Sequence, residues 1–185
     1  MKSGIFHVPY MRPERSPREV FDYSGLSPIS FFGGLDIARS HWDTYAKGAA
    51  AKGYAADRCR FRICRDIVVA DTDKEAKRIA IEGGLGHCWR QYLVPVYKTF
   101  NILDGYIDGT DIDAADIDLD FIAEHVWICG SPETVIEKMA EDTGGFGQIV
   151  MNTHDYVEDP KPWIASMHRI AKEVVPKVRG TVQVS

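Results

Sequence analysis

A chain of 185 residues suits one domain, or at most two very small ones. Apolar residues at 45% and charged residues at 26% are ordinary for a folded protein, which excludes a disordered chain, a collagen-like repeat and a disulfide-stapled miniprotein. The net charge of −5 supplies no basic face for general nucleic-acid binding.

Residues 2–8 (KSGIFHV) read as a short strand. Residues 9–24 carry three prolines and read as loop, because each proline removes a backbone donor and biases its predecessor away from helix. Residues 27–32 (SPISFF) are a second strand, ended by Gly33-Gly34. From Leu35 the apolar period becomes helical through Trp42, Tyr45 and Ala49, and the helix ends near Gly53.

Residues 60–70 (RFRICRDIVVA) read as one strand, with Ile67-Val68-Val69 buried on both faces. Thr72 followed by Glu75 is a capping box, so a helix is expected from there to Gly83-Gly84. A second helical stretch, rich in aromatics, runs from His87 to about Phe100. Seven aspartates and Glu124 then fall between Asp104 and Glu124, with no Lys or Arg from Thr99 to Glu137. Residues 101–124 are expected to form an exposed acidic insertion.

Residues 125–130 (HVWICG) read as extended. Ser131-Pro132-Glu133 combines an N-cap, a proline at the first helical position and an early acid, and its helix should reach about Asp142. Gly144 to Gly147 make a turn before a buried strand over 148–152. The last helix carries an apolar stripe from Trp163 to Val178, and Pro176 is expected to end or kink it. Alternating strands and helices argue for an α/β fold with parallel strands. Four convincing strands are half of what a closed barrel needs.

Chemical motifs are sparse. Cys59, Cys64, Cys88 and Cys129 form no C-x-x-C pair and miss the zinc-knuckle spacings, so four reduced thiols and no metal are expected. No calcium loop fits the acidic segment. Starting at Asp111 or Asp113 puts Asp116 or Asp118 where glycine is required, and starting at Asp104 puts Ala115 at the final ligand position. No two of the six histidines have helical metal-pair spacing. His41 and His168 fall on helices and read as structural. His7 and His154 each follow an expected strand, where parallel α/β folds hold their ligands. G-x-S-x-G, P-loop and Rossmann signatures are absent. No run of about 18 apolar residues suggests a membrane span, and the stretch from Gly4 to Val8 is too short for a signal peptide, so the cytoplasm is the expected compartment.

Several stretches resemble the luciferase-like flavin-dependent monooxygenase family. They are residues 66–80 (DIVVADTDKEAKRIA), 125–139 (HVWICGSPETVIEKM), 144–156 (GGFGQIVMNTHDY), 25–34 (GLSPISFFGG) and the helix from Trp163. Residues 1–24 resemble the family's first strand and loop, and residues 25–180 its C-terminal part. The resemblance therefore implies one luciferase-like domain over 1–185, a partial or internally deleted (β/α)8 TIM-barrel-like fold joined near Asp22 to Gly25.

The chemistry implied is oxygen insertion into a small organic substrate with reduced FMN and O2, the FMN supplied by a separate flavin reductase. The deazaflavin F420 is the alternative cofactor. The resemblance carries over no catalytic residue. His7, Ser30, Asn152 and His154 match as positions at the barrel mouth and are candidates for lining a flavin pocket. The rival reading is a non-catalytic barrel fragment acting only through association. Uncovered strand edges and helix faces also imply a homo-oligomer. No nucleic-acid or membrane partner is implied.

Overall fold

The computed structural model describes residues 29–31, 34–107, 112–143, 148–152 and 159–181. The strand expected over 2–8, the loop over 9–24 and the turn over 144–147 lie outside the described residues, as do His7 and His154.

Five short strands are described: β1 (Ile29–Ser30), β2 (Arg62–Arg65), β3 (Ile67–Val69), β4 (Ile128–Gly130) and β5 (Gln148–Met151). They form two sheets, one in the order β1-β2-β5 and the other β3-β4. Every pairing is parallel, with Ile63 opposite Ser30 and Ile149, and Val68 opposite Cys129. The helices are the crossovers that parallel pairing requires.

Helix α1 (Leu35–Ala50) buries Ala38 and Trp42 against Phe61 and Ile63. The Trp42 and Phe61 rings meet edge-on at 5.5 Å, and the Arg58 guanidinium lies 4.9 Å over the indole. The chain leaves α1 through Gly53, whose φ of 79° is open to glycine and strained for other residues. Helix α2 (Asp73–Glu82) starts as its capping motif predicts, with the Glu75 N–H donating to Thr72 Oγ1 at 3.2 Å. The reciprocal half of the box is replaced: Glu75 pairs with Arg78 at 2.8 Å.

The strand expected over 60–70 divides at Asp66. Its first half sits between β1 and β5 and its second half beside β4. Backbone carbonyls explain the hand-over. The Arg65 oxygen accepts the Asn152 N–H beyond β5, and the Asp66 oxygen accepts the Ile128 N–H that begins β4. Burial of β3 on both faces is as expected. Ile67 and Val69 pack with Val135, Met139 and Val174, while Val68 joins the core around Trp89 and Trp127.

After α2 the chain runs through α3 (Gly84–Cys88), a π-helical turn (Trp89–Leu93) and α4 (Val94–Thr99). The acidic segment corrects its expectation. It forms α5 (Asp104–Ile107), a 3₁₀ turn (Ala114–Asp116) and α6 (Leu119–His125). Its carboxylates at Asp104, Asp113, Asp116, Asp118, Asp120 and Glu124 are exposed. Leu103, Ile117, Phe121 and Ile122 are buried in the same core as Trp89. The aspartates mask an apolar set that holds the segment to the body. Because α6 reaches His125, the extended piece shortens to β4.

Helix α7 (Pro132–Thr143) follows β4, and the closing helix is α8 (Lys161–Arg169), a π-helical turn (Ile170–Val174) and α9 (Val175–Thr181). Pro176 does not end it. A proline lacks the N–H owed to the carbonyl four residues back and crowds that carbonyl, and the wider π turn just before it relieves both. Pro95 stands in the same relation to the turn over Trp89–Leu93. Ser166, on α8, accepts the Val69 N–H at 2.8 Å and so satisfies a donor of β3 from the helix layer.

Candidate functional site

A cavity of about 230 Å³ opens at the carboxyl ends of β1, β2 and β5. Phe31 borders it just past β1. Cys64, Arg65 and Asp66 come from β2 and its end, and Asn152 from just past β5. The opposite wall is the segment around the first π turn, with Cys88, Trp89, Tyr92, Leu93 and Tyr97, joined by Tyr106 and Val126. The turn places Trp89, Tyr92 and Leu93 on the same cavity.

The aromatic wall is ordered by its own contacts. Trp89 meets Tyr97, Tyr106 and Trp127 edge-on at 5.7, 5.8 and 5.8 Å. Tyr97 and Tyr106 stack at 16° and hydrogen-bond through their side chains. Each such pair contributes about 0.5–1.5 kcal/mol beyond the area it buries. Burial pushes the Tyr97 phenol well up, so it stays protonated.

Two charged side chains are buried here. Arg65 and Asp66 are each 6% exposed. The Trp89 Nε1–H donates to Asp66 Oδ2 at 3.0 Å, and Arg65 Nη1 donates to the Cys64 carbonyl at 2.9 Å. Burial pushes the Cys64 thiol up to about 11, with Arg65 opposing and Asp66 reinforcing the shift. Burial, aided by Asp66, also raises Cys88. Both thiols are therefore neutral and poorly nucleophilic at physiological pH.

Of the four expected site residues, the structure places Asn152 on the cavity, half-buried. Ser30 is 1% exposed and is not among the lining residues; its hydroxyl lies 2.9 Å from His41 Nδ1. Its neighbour Phe31 takes the cavity side. His7 and His154 lie outside the described residues. Sequence reasoning missed Arg65, Asp66 and Trp89. The available signal was the Arg-Asp pair inside the apolar run 61–70, since charges seldom enter a buried strand without a partner.

Parallel strands, helical crossovers and a cavity at the strand carboxyl ends define a (β/α)-barrel-type architecture, present in part. Over part of their length the chain is similar to flavin-dependent monooxygenases of the luciferase-like type. It is 54% identical to 2,5-diketocamphane 1,2-monooxygenase 1 of Pseudomonas putida over 158 residues, covering 83% of this chain and 44% of the relative. The oxygenating constituent of 3,6-diketocamphane monooxygenase from the same organism is a type II Baeyer–Villiger enzyme solved in complex with FMN. It superposes with a TM-score of 0.79 at 42% identity, covering 88% of this chain and 46% of that one. A coenzyme F420-dependent tetrahydromethanopterin reductase from Methanopyrus kandleri shares the fold alone, with a TM-score of 0.51 at 15% identity, over 87% of this chain and 48% of the other. No protein-family model matches the chain. The chain thus spans less than half the length of these relatives.

Proposed function

We propose that this chain is part of a flavin-dependent monooxygenase using reduced FMN and O2 on a small organic substrate, with the flavin ring seated in the cavity at the strand ends. The observation that carries the reading is the aromatic-walled cavity with its buried Arg65–Asp66 pair, in a chain 42% identical to an FMN-binding structure.

The residues present fit the ring part of the cofactor. At about 230 Å³ the cavity is smaller than the roughly 300–1,000 Å³ of typical small-molecule pockets, which suits a flat ring system with its chain leading outward. Arg65 is the one cation among the described lining residues. The start of α7, a natural anion site, is occupied by the Asp73 carboxylate. The phosphate therefore finds no second cation among the described lining residues.

When bound, reduced FMN supplies the electrons that activate O2. The protein's own contribution is placement and exclusion. Trp89, Tyr97 and Tyr106 form an aromatic wall, Arg65 offers donors, Asp66 offers acceptors, and Asn152, beside Arg65 at the strand ends, offers both. FMN rather than F420 is the cofactor of this reading, since the F420-dependent structure is similar in fold alone. A flavin reductase and a cytoplasmic setting complete it. Among the described residues no helix is long and apolar enough to cross a membrane.

The second reading is a non-catalytic fragment that acts by association, as a homo-oligomer. Its support is that Ile29, Phe31 and Val150, on or beside the outer strands β1 and β5, are 36–44% exposed. Anaerobic titration with photoreduced FMN separates the readings. The enzyme reading expects saturable binding, a changed flavin spectrum and substrate-dependent O2 uptake. No spectral change at millimolar flavin would leave the fragment reading standing.

A further inference from the structure

The charged groups of the cavity come from one point in the chain. Arg65 and Asp66 are consecutive, equally buried, and sit where β2 hands over to β3. A guanidinium can only donate and a carboxylate can only accept. Each is fixed by a buried hydrogen bond, Arg65 to the Cys64 carbonyl and Asp66 to Trp89. Guanidinium and carboxylate both have capacity for more than one bond. The rings of Trp89, Tyr97 and Tyr106 border the same space, with the two tyrosine hydroxyls engaged with each other. A π turn in an otherwise α-helical run delivers Trp89 to both Asp66 and the cavity. Such turns concentrate at functional sites.

We propose that Arg65 and Asp66 read the edge of a planar ring that carries an imide, a ring N–H flanked by carbonyls. Asp66 accepts the imide N–H, Arg65 donates to an adjacent carbonyl, and the aromatic side chains line the ring. Trp89 is a positioning residue that holds the Asp66 carboxylate in place. This rests on the flavin reading above, because the pyrimidine ring of a flavin presents such an edge, and it assigns the two side chains that recognise it.

The test uses the full chain and three probes: FMN, lumiflavin, which has the ring without ribityl phosphate, and lumiflavin methylated at the imide nitrogen. Binding is read by flavin fluorescence. Lumiflavin should bind, and its N-methylated form at least about tenfold more weakly, the loss expected of one hydrogen bond to a charged group. Asp66→Asn should weaken lumiflavin by a similar factor and lose the discrimination against methylation. Trp89→Phe should weaken lumiflavin and narrow that discrimination. Where a variant fails to keep a cooperative thermal transition, the methylation comparison on the unsubstituted chain decides alone. Equal binding of both lumiflavins, or binding of FMN without lumiflavin, overturns the edge assignment and leaves the flavin reading in place. No binding of any of the three overturns both.

Discussion

Asp73 and Ser131, far apart in sequence, are joined at the start of α7: Asp73 Oδ1 accepts the Ser131 backbone N–H at 2.6 Å. Helix N-termini leave several donors unpaired, and here a carboxylate from the first turn of α2 satisfies one. The Ser131 hydroxyl accepts the Thr134 N–H at 3.4 Å and covers another. The contact ties the β3–α2 unit to the β4–α7 unit at the strand carboxyl ends.

Asp73→Ala should cost about 1 kcal/mol, the usual worth of a helix cap, measured by urea unfolding at neutral pH. The Ser131 N–H, then the Thr134 side chain, hold the Asp73 carboxyl below the usual carboxylate range. A depressed value contributes stability that is present above the unfolded-state value, about 4, and is lost as pH falls through the folded one. The gap between the parent chain and Asp73→Ala should therefore narrow below about pH 4. A gap that stays constant into acid would show that the carboxylate charge is not what matters.

Two glycines should respond in opposite directions to alanine. A Cβ on Gly86 would run into the Ile81 carbonyl and lie 2.8 Å from the Ala80 oxygen, both backbone atoms of the preceding helix. Gly86→Ala should cost about 3 kcal/mol, the upper end of overpacking. Gly48, inside α1, has nothing among the described residues within 4 Å of such an atom. Gly48→Ala should gain about 0.5–1 kcal/mol from reduced backbone freedom in the unfolded chain. Thermal unfolding of the two variants should bracket the parent.

Trp89 and Trp127 are both 2% exposed and touch edge-on, yet their indole donors differ. Trp89 Nε1–H is given to Asp66, whereas Trp127 Nε1–H has no partner among the described residues. Replacing either by Phe removes similar apolar surface. Trp89→Phe also takes a donor from a buried carboxylate, and Trp127→Phe removes an unsatisfied donor. Trp89→Phe should be the more destabilising by about 1–3 kcal/mol in denaturant titration. The reverse order would show that ring packing outweighs the hydrogen bond.

The Cys64 thiol, 4% exposed and raised to about 11 by burial, should resist alkylation by iodoacetamide at pH 8, with Cys129 slow for the same reason. The unfolded chain should react fully. A raised value also costs stability in base. The folded state keeps its proton while the unfolded state loses one above the ordinary thiol value of about 8.5. Stability should fall from about pH 9 towards 11. Cys64→Ser, which does not titrate there, should flatten that decline in a pH series of unfolding midpoints.

Local chemistry decided much of this protein in advance. Thr72 with Glu75 and Ser131 with Pro132 mark two helix starts to the residue, because a cap is satisfied within its own turn. The Ile67–Val69 run announces a strand buried on both faces, and the alternation of elements announces parallel pairing. The resemblance in residues 66–80 and 125–139 pointed to the monooxygenases that the chain is similar to.

Other features depended on partners distant in the chain. The division of residues 60–70 at Asp66 follows from carbonyls pointing to β5 on one side and β4 on the other, which no local pattern encodes. The acidic segment reads as solvated because it gathers seven aspartates with no Lys or Arg to pair them. Leu103, Ile117, Phe121 and Ile122 nevertheless find a core beside Trp89, and the free energy of burying them outweighs the composition. Ser30 and Asn152 stand at equivalent strand ends in the sequence, but His41 on α1 takes the Ser30 hydroxyl and leaves the cavity to Phe31. Sequence determined where α2 and α7 start and that Ile67–Val69 is a buried strand, since those signals close within a few residues. Only tertiary structure decided that Arg65, Asp66 and Trp89 share one cavity, because their meeting requires a helix to fold back across the carboxyl ends of the strands.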